Sequence, residues 1–196
     1  AELTNHHDEA KFFYDRSKNY RNIFNNDTNF MEARYEDGSW CPHRNTWTEA
    51  TNWIYTFNTQ HDFGGLRDLF HGAAGLEKKL DEYYEGGHND QTNEPSHATA
   101  YAYYYANEPA KAQSTVRSLL LDNYWNSPVG ISGNDDCGQM SSWYIFNALG
   151  FYPMNPASAE YVVSSPIFDK VEIRLPQVDH VLTLIASESR NKQYVG

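Results

Sequence analysis

The sequence predicts a mainly α-helical chain that ends in a short β-strand region. Three observations lead there. Apolar residues recur at three- and four-residue steps up to Pro153. Clusters of Asn, Asp, Gly and Pro cut that pattern into segments of helical length. Beyond Pro153 the chain changes to short β-branched runs separated by turn residues.

Taken in order, residues 7 to 24 place Ala10, Phe13, Tyr14, Ser17, Tyr20, Ile23 and Phe24 on one helical face. Asn25-Asn26-Asp27-Thr28 supplies the turn that stops it. The loop Glu36 to Pro42 contains the Asp37-Gly38 turn. Thr48 reads as the next helix start, with Glu49 in its first turn and Trp53 and Phe57 further along the same face. His61 to Gly65 closes that region, and Leu66–His71 and Leu76–Tyr84 follow as short helical runs, the second with Leu76, Leu80, Tyr83 and Tyr84 on one face. Glu85 to Gln91 is a loop leading to Asn93-Glu94-Pro95-Ser96-His97, where Pro95 favours an extended Glu94. Ala98, Tyr101, Ala102 and Tyr105 resume a helix. Pro109 opens another, with Ala112, Val116, Leu119 and Leu120 as its apolar stripe. Pro128 and Gly130 break it. A helix over residues 138 to 148 ends at Gly150, a left-handed cap. Strands are expected at Tyr161–Val163, Lys170–Leu175 and Val181–Ala186. The chain stops at Gly196 within what reads as an unfinished sheet, and no sequence repeat with a clear period is present.

Composition narrows the function. The 196 residues suit one domain and carry a formal charge of −11. No cluster of Lys and Arg exists, which argues against nucleic acid as a partner. No apolar run is long enough to span a membrane, and the start has no signal-peptide pattern. Fifteen Tyr and five Trp suit surfaces that stack on ligands while staying wet. Cys41 and Cys137 are expected to be free thiols. The sequon Asn26-Asp27-Thr28 would matter only in a secretory pathway.

The chemistry-bearing residues lie at helix starts: Glu49, then Asn93-Glu94 with His97, then Gly133-Asn134-Asp135-Asp136-Cys137-Gly138. Asp136 is placed to cap the helix that follows, which is one reading of it. Glu49 likewise suits a helix N-terminus by charge alone. The other reading is catalytic. A carboxyl between Trp47 and Trp53 would be partly desolvated, which raises its pKa as a general acid needs. If successive helix pairs pack side by side, these starts share one rim. Glycosidic hydrolysis needs an acid for the leaving oxygen and a second carboxylate. Carboxylates, Asn and carbonyl oxygens also suit calcium, whereas no close His/Cys spacing points to zinc.

The residues resemble the calcium-dependent exo-α-mannosidases of glycoside hydrolase family 92. The matching segments are Asp37-Gly38-Ser39-Trp40, Thr48-Glu49 with Trp53, His61-Asp62 with Gly65-Leu66, and Asn93 to His97. They continue with Lys111, Gln113, Val116 and Arg117, then Gly133 to Gln139, Ser142-Trp143-Tyr144 and Ala148 to Pro153. The resemblance implies a fold that is part of an (α/α)6 barrel (toroid). Residues 1–153 would be a partial barrel carrying the catalytic site, and 154–196 the start of a C-terminal β-strand region on the same domain. It also implies an N-terminal β-sandwich domain as partner, with no counterpart in these residues.

By that resemblance the chain takes part in inverting hydrolysis of α-mannosidic bonds, α-1,2 among them, at non-reducing ends of mannose-containing oligosaccharides or N-glycans. Glu49 would be the general acid and Asp136 the base that activates water, with Asp135 beside it in the catalytic set. Glu94 competes for the acid role. Trp53, Asn93, Glu94, His97 and Asn134 would contact the sugar, and Asn93 and Glu94 would lie at a calcium ion that grips ring hydroxyls. The chain departs from relatives at Ala50-Thr51, where they carry Gly-Asn, at Ala98, where they repeat His, and at Asn134, where they often place a second acid. A secreted location follows by the same analogy. The alternative is a carbohydrate-binding or scaffold module that keeps the sugar pocket without turnover, and a plainer one is a helical domain whose carboxylates only cap helices.

Overall fold

The computed structural model describes residues 2–43, 46–176 and 179–195. The terminal Gly196, where the sheet was expected to be cut, lies outside them. Helix α1 (His7–Arg16) stops well short of the expected residue 24. The Ser17 hydroxyl donates back to the Tyr14 carbonyl at 2.7 Å, which offers the chain a non-helical exit. A 3-10 turn over Asn19–Ile23 follows, and Phe24 enters strand β1 (Phe24–Asn25). Strand β2 (Phe30–Met31) pairs with it in an antiparallel hairpin built on the expected turn, with Phe24 opposite Met31. No residue of α1 is buried, and Phe12, Phe13 and Tyr14 are exposed. The part of the expected apolar face that lies on α1 is therefore open, while Tyr20, Ile23 and Phe24 beyond it pack on the core.

Helix α2 (Asn52–Phe57) begins later than Thr48. Its cap is Thr51, whose hydroxyl accepts from the Ile54 N–H at 3.5 Å. The cap of α3 (Phe63–Leu69) is Asp62, which accepts from Gly65 N–H at 2.9 Å, from the Tyr20 hydroxyl at 2.7 Å and from Arg21 at 3.1 Å. Gly65 has no room for a side chain there, since a Cβ would fall 2.1 Å from the Arg21 guanidinium and 2.2 Å from the Asp62 carboxylate. Next come α4 (Ala73–Glu85), a short α5 (Ala102–Tyr105), α6 (Pro109–Asn123) with Pro109 in its first turn, and α7 (Gln139–Leu149). Gly150 ends α7 with φ 92°, as expected.

From α3 onward each helix packs on the next, α3 on α4, α4 on α5, α5 on α6 and α6 on α7. That arc is consistent with part of a helical toroid. Its interior is filled by Phe57, Phe63, Leu66, Leu76, Leu80, Tyr83, Tyr101, Val116, Leu120, Met140 and Trp143. Trp143 is fully buried and stacks on Tyr124, their rings 5.7 Å apart. Lys111 on α6 reaches across to α4, bonding Glu77 at 2.7 Å and Asp81 at 2.6 Å.

Among the described residues the β region contains two short hairpins. Strand β3 (Phe151–Tyr152) pairs with β4 (Val162–Val163), and β5 (Lys170–Arg174) with β6 (Val181–Ile185), both antiparallel. Side chains of α6 hold this part of the chain. The Arg117 guanidinium donates to the carbonyls of Ser189 at 2.6 Å and of Pro166 and Lys192 at 3.3 Å. The Gln113 side chain bonds both backbone groups of Val195. The Arg117 contacts all come from one terminal nitrogen of the guanidinium, whose two N–H groups are shared among them.

Trp143→Ala is expected to remove about 3–5 kcal/mol from folding stability, the usual cost of emptying so large a buried site. Trp143→Phe should cost less, because the ring volume is mostly kept. Guanidinium unfolding midpoints of the two variants check the order.

Candidate active site

The loop that carries Asn93 and Glu94 and the loop that carries Asp135 and Asp136 are bound to each other. Their junction is His97. The Gln139 amide donates to its Nδ1 at 3.2 Å, and its Nε2–H donates to the Gln91 carbonyl at 3.2 Å. Both bonds together fit the neutral ring. The Trp143 indole N–H donates to the His97 carbonyl at 2.9 Å, anchoring the loop to the core. Gly133 lies so near the other loop that a Cβ would sit 2.2 Å from the Thr92 carbonyl oxygen. His97 is only 3 % exposed. Its ring was expected at the sugar; here Nδ1 joins the two loops and Nε2 braces its own loop through Gln91.

Asp135, not Asp136, takes the expected capping role. Its two carboxylate oxygens accept from the Ser141 N–H and the Ser141 hydroxyl, each at 2.8 Å. These bonds favour the charged form and hold its pKa below the ordinary value. Asp136 is exposed, and backbone φ values of 36° at Asp136, 60° at Cys137 and 90° at Gly138 turn the chain sharply before α7. Non-glycine residues held in this region cost on the order of 1 kcal/mol each, and such strain gathers at functional sites. Asn134 is exposed on the same loop. Both cysteines are free, as expected.

Glu94 was expected to be extended; it opens a 3-10 turn over Glu94–Ser96 instead. The Asn93 side chain caps that turn by accepting from the Glu94 N–H at 3.1 Å, and Pro95 sits where no N–H is needed. One carboxylate oxygen of Glu94, Oε1, is buried without a hydrogen-bond partner. Such an atom is costly unless something binds it. Asn93 and Glu94 fit a calcium ion in the kind of donor they offer. Among the described residues, no group of three or more His, Cys, Asp or Glu gathers for a metal ion.

Glu49 was expected in a first helical turn, desolvated between Trp47 and Trp53. It lies before α2 in a bend, exposed, with φ 67°. The later helix start explains this, because the Thr51 cap leaves Glu49 outside the helix. Trp47 and Trp53 instead line a cavity of about 600 Å³ together with Trp40, Glu32 and Asn52. α2 packs against the 3-10 turn of Glu94, and Trp53 stacks flat on His88 at 4.1 Å. Thus α2, which follows the Glu49 bend, and the Asp136 loop both adjoin the 88–97 segment. Gln139, Ser141 and His88 received no individual role from the sequence, since each works through a partner distant in the chain.

The chain matches known proteins over its whole length. The model of the glycosyl hydrolase family 92 catalytic domain covers residues 1–196. An uncharacterized secreted glycosidase of Arthroderma benhamiae is 25% identical over 205 residues, covering 90% of this chain and 26% of that protein. Among solved structures, a family GH92 α-mannosidase from Bacteroides thetaiotaomicron is similar with a TM-score of 0.88 and 33% identity, over 96% of this chain and 27% of that one. A family GH92 inverting mannosidase from the same organism gives 0.86 and 28%, over 98% of this chain and 30% of its own. The chain therefore spans about a quarter of the length of these relatives.

Burial holds the His97 pKa below its ordinary 6.5, outweighing the Gln91 carbonyl and the Asp90 charge, which raise it. In the unfolded chain the ring takes a proton more readily. The stability tied to the neutral ring is therefore complete above pH 6.5 and is lost as pH falls from there through the folded value. A His97→Gln variant should lose this acid-side slope while keeping the others. Unfolding midpoints taken from about pH 8 to about pH 5 check it, that window bracketing the histidine range.

Proposed function

Because this chain belongs to glycosyl hydrolase family 92, we propose that it forms part of an enzyme that hydrolyses α-mannosidic bonds, α-1,2 among them, at the non-reducing ends of mannose-containing glycans. The observation that carries the reading is the clasp at His97, which sets the Glu94 and Asp136 loops side by side. The similarity to a solved α-mannosidase and a solved inverting mannosidase supports the substrate and the stereochemistry.

In this mechanism the Glu49 carboxyl protonates the glycosidic oxygen as it leaves. The Asp136 carboxylate takes a proton from a water that attacks the anomeric carbon from the opposite face, so the product is inverted. Asp136 is suited to the base role because it is exposed, while its neighbour Asp135 is committed to α7. Asp135 thus acts by shaping the turn that presents Asp136. The partnerless Oε1 supports a liganding role for Glu94, which leaves the acid to Glu49. Asn93 and Glu94 would hold the calcium ion, whose charge would bind sugar hydroxyls and favour a distorted ring. Asn134 and Trp53 complete the sugar contacts. Secretion is part of the same proposal, supported by the description of the Arthroderma benhamiae relative.

The test uses the full-length protein and α-1,2-linked mannobiose. Turnover should release mannose with inversion, seen by proton NMR as β-mannose appearing first, and should fall on chelation. Asp136→Asn is expected to lower kcat by about 10²–10⁴-fold, the usual reach of general acid–base catalysis. Full activity in that variant would remove Asp136 from the mechanism. Mannobiose binding without release in the wild type would favour the glycan-binding module.

A further inference from the structure

The turn that presents Asp136 is suspended between two anchored neighbours. Asp135 on one side is tied to Ser141 at the start of the helix that follows. Gln139 on the other side is the first residue of α7, and its backbone N–H donates to the Asp136 carbonyl at 3.3 Å. Between the anchors Asp136, Cys137 and Gly138 all hold positive φ, so the span is short and strained and follows its ends closely. The first anchor is local. The second crosses to the other acidic loop. Among the described residues, Gln139 to His97 is the one side-chain bond between residues 133–140 and residues 91–97.

The orientation of the Gln139 amide follows from a sequence of forced choices. The Gln91 carbonyl can only accept, so Nε2 of His97 carries the proton. Nδ1 of the neutral ring is then an acceptor, and the Gln139 group that faces it has to be the NH2. The second N–H of that group goes to the Tyr152 hydroxyl at 3.1 Å. Tyr152 is buried and stacks on Tyr101 at 5.0 Å, within 4° of parallel. Tyr101 donates to the Asn147 side chain, which donates to the Trp143 carbonyl at 2.8 Å. Both N–H groups of Gln139 thus end on side chains that the core holds still, and the Trp143 indole fixes His97 from its backbone end.

A base works only on a water within its hydrogen-bond reach while the sugar keeps its own contacts. Asp136 lies on one loop, and Asn93 and Glu94 lie on the other. Turnover therefore depends on the register of the two loops more than sugar binding does. We propose that Gln139 is the positioning residue that sets the Asp136 turn in register with the Asn93–Glu94 turn, acting through His97. Its part in turnover rests on the hydrolase reading, whereas its coupling of the two loops does not.

Gln139→Met keeps the side-chain length and removes the donor. In the full-length protein it is expected to lower kcat for α-1,2-linked mannobiose about ten- to a hundredfold, the reach of a small misplacement of reacting groups, with KM kept within about twofold. Tyr152→Phe cuts the other bond of the same amide, leaves His97 engaged and should keep kcat within about twofold. Unfolding midpoints put the two variants on one scale. An unchanged kcat in Gln139→Met, or a kcat loss that follows the midpoint equally in both variants, overturns the assignment. Adding Gln139→Met to His97→Leu should cost less than about a further twofold, because the bond is already gone, and losses that multiply overturn it.

The loops themselves are read by amide hydrogen exchange. The Ser96 and His97 N–H groups close the Glu94 turn, 3.2 and 2.9 Å from the Asn93 and Glu94 carbonyls. Their exchange should quicken about tenfold in Gln139→Met and keep its wild-type rate in Tyr152→Phe. No change in either variant, or an equal change in both, overturns the coupling. If the full-length wild type releases no mannose, the hydrolase reading has failed, and the exchange rates alone decide whether Gln139 couples the loops.

Discussion

One neutral imidazole joins loops that lie 42 residues apart in the chain. Nδ1 of His97 accepts from Gln139 and Nε2–H donates to Gln91, while its backbone carbonyl receives the Trp143 indole. The ring cannot make both side-chain bonds as written if it carries a second proton. The acidic loops therefore share their register with the centre of the core, where Trp143 is stacked against Tyr124. A disturbance of the core around α7 would reach the Glu94 and Asp136 loops together rather than one at a time.

The two neighbouring aspartates show how one short loop separates a bonded carboxylate from an open one. Asp135 is saturated by Ser141, which fastens the start of α7. Asp136 is turned outward by a run of left-handed residues and keeps its carboxylate exposed. A carboxylate that had to do both jobs would be a weaker base, because bonds to its charged form lower its affinity for a proton. Glu94 and Glu49 differ in a similar way. One has an oxygen buried without a partner, and the other lies in an exposed bend ahead of its helix.

Much of the architecture was legible because it is written locally. The stripe Leu76, Leu80 and Tyr83 is buried as its spacing requires, and so are Ala112, Val116 and Leu120 on α6. Gly150 caps α7, and the β-branched runs pair into hairpins. The site was less legible, because cap choice and long-range bonding decide it. Thr48 and Thr51 are both acceptable caps by residue type, and only packing selects Thr51, which moved Glu49 out of the helix. Pro95 suggested an extended Glu94, yet the Asn93 cap makes a 3-10 turn there favourable. Nothing near His97 in the chain announces Gln139 as its partner. The segment Lys111 to Arg117 carried the family likeness but no mechanism. Its side chains turn out to be fasteners, Lys111 to α4 and Gln113 and Arg117 to the non-strand segments around the C-terminal hairpins.

The bare backbone at Gly133 works as a spacer of zero thickness. Because a methyl there would collide with the Thr92 carbonyl at 2.2 Å, the distance between the two acidic loops is a direct contact of main chain on main chain. The seating of one acidic loop on the other then hinges on a position that bears no functional group at all, where a one-carbon wedge would act as a gauge for how much slack the pair tolerates.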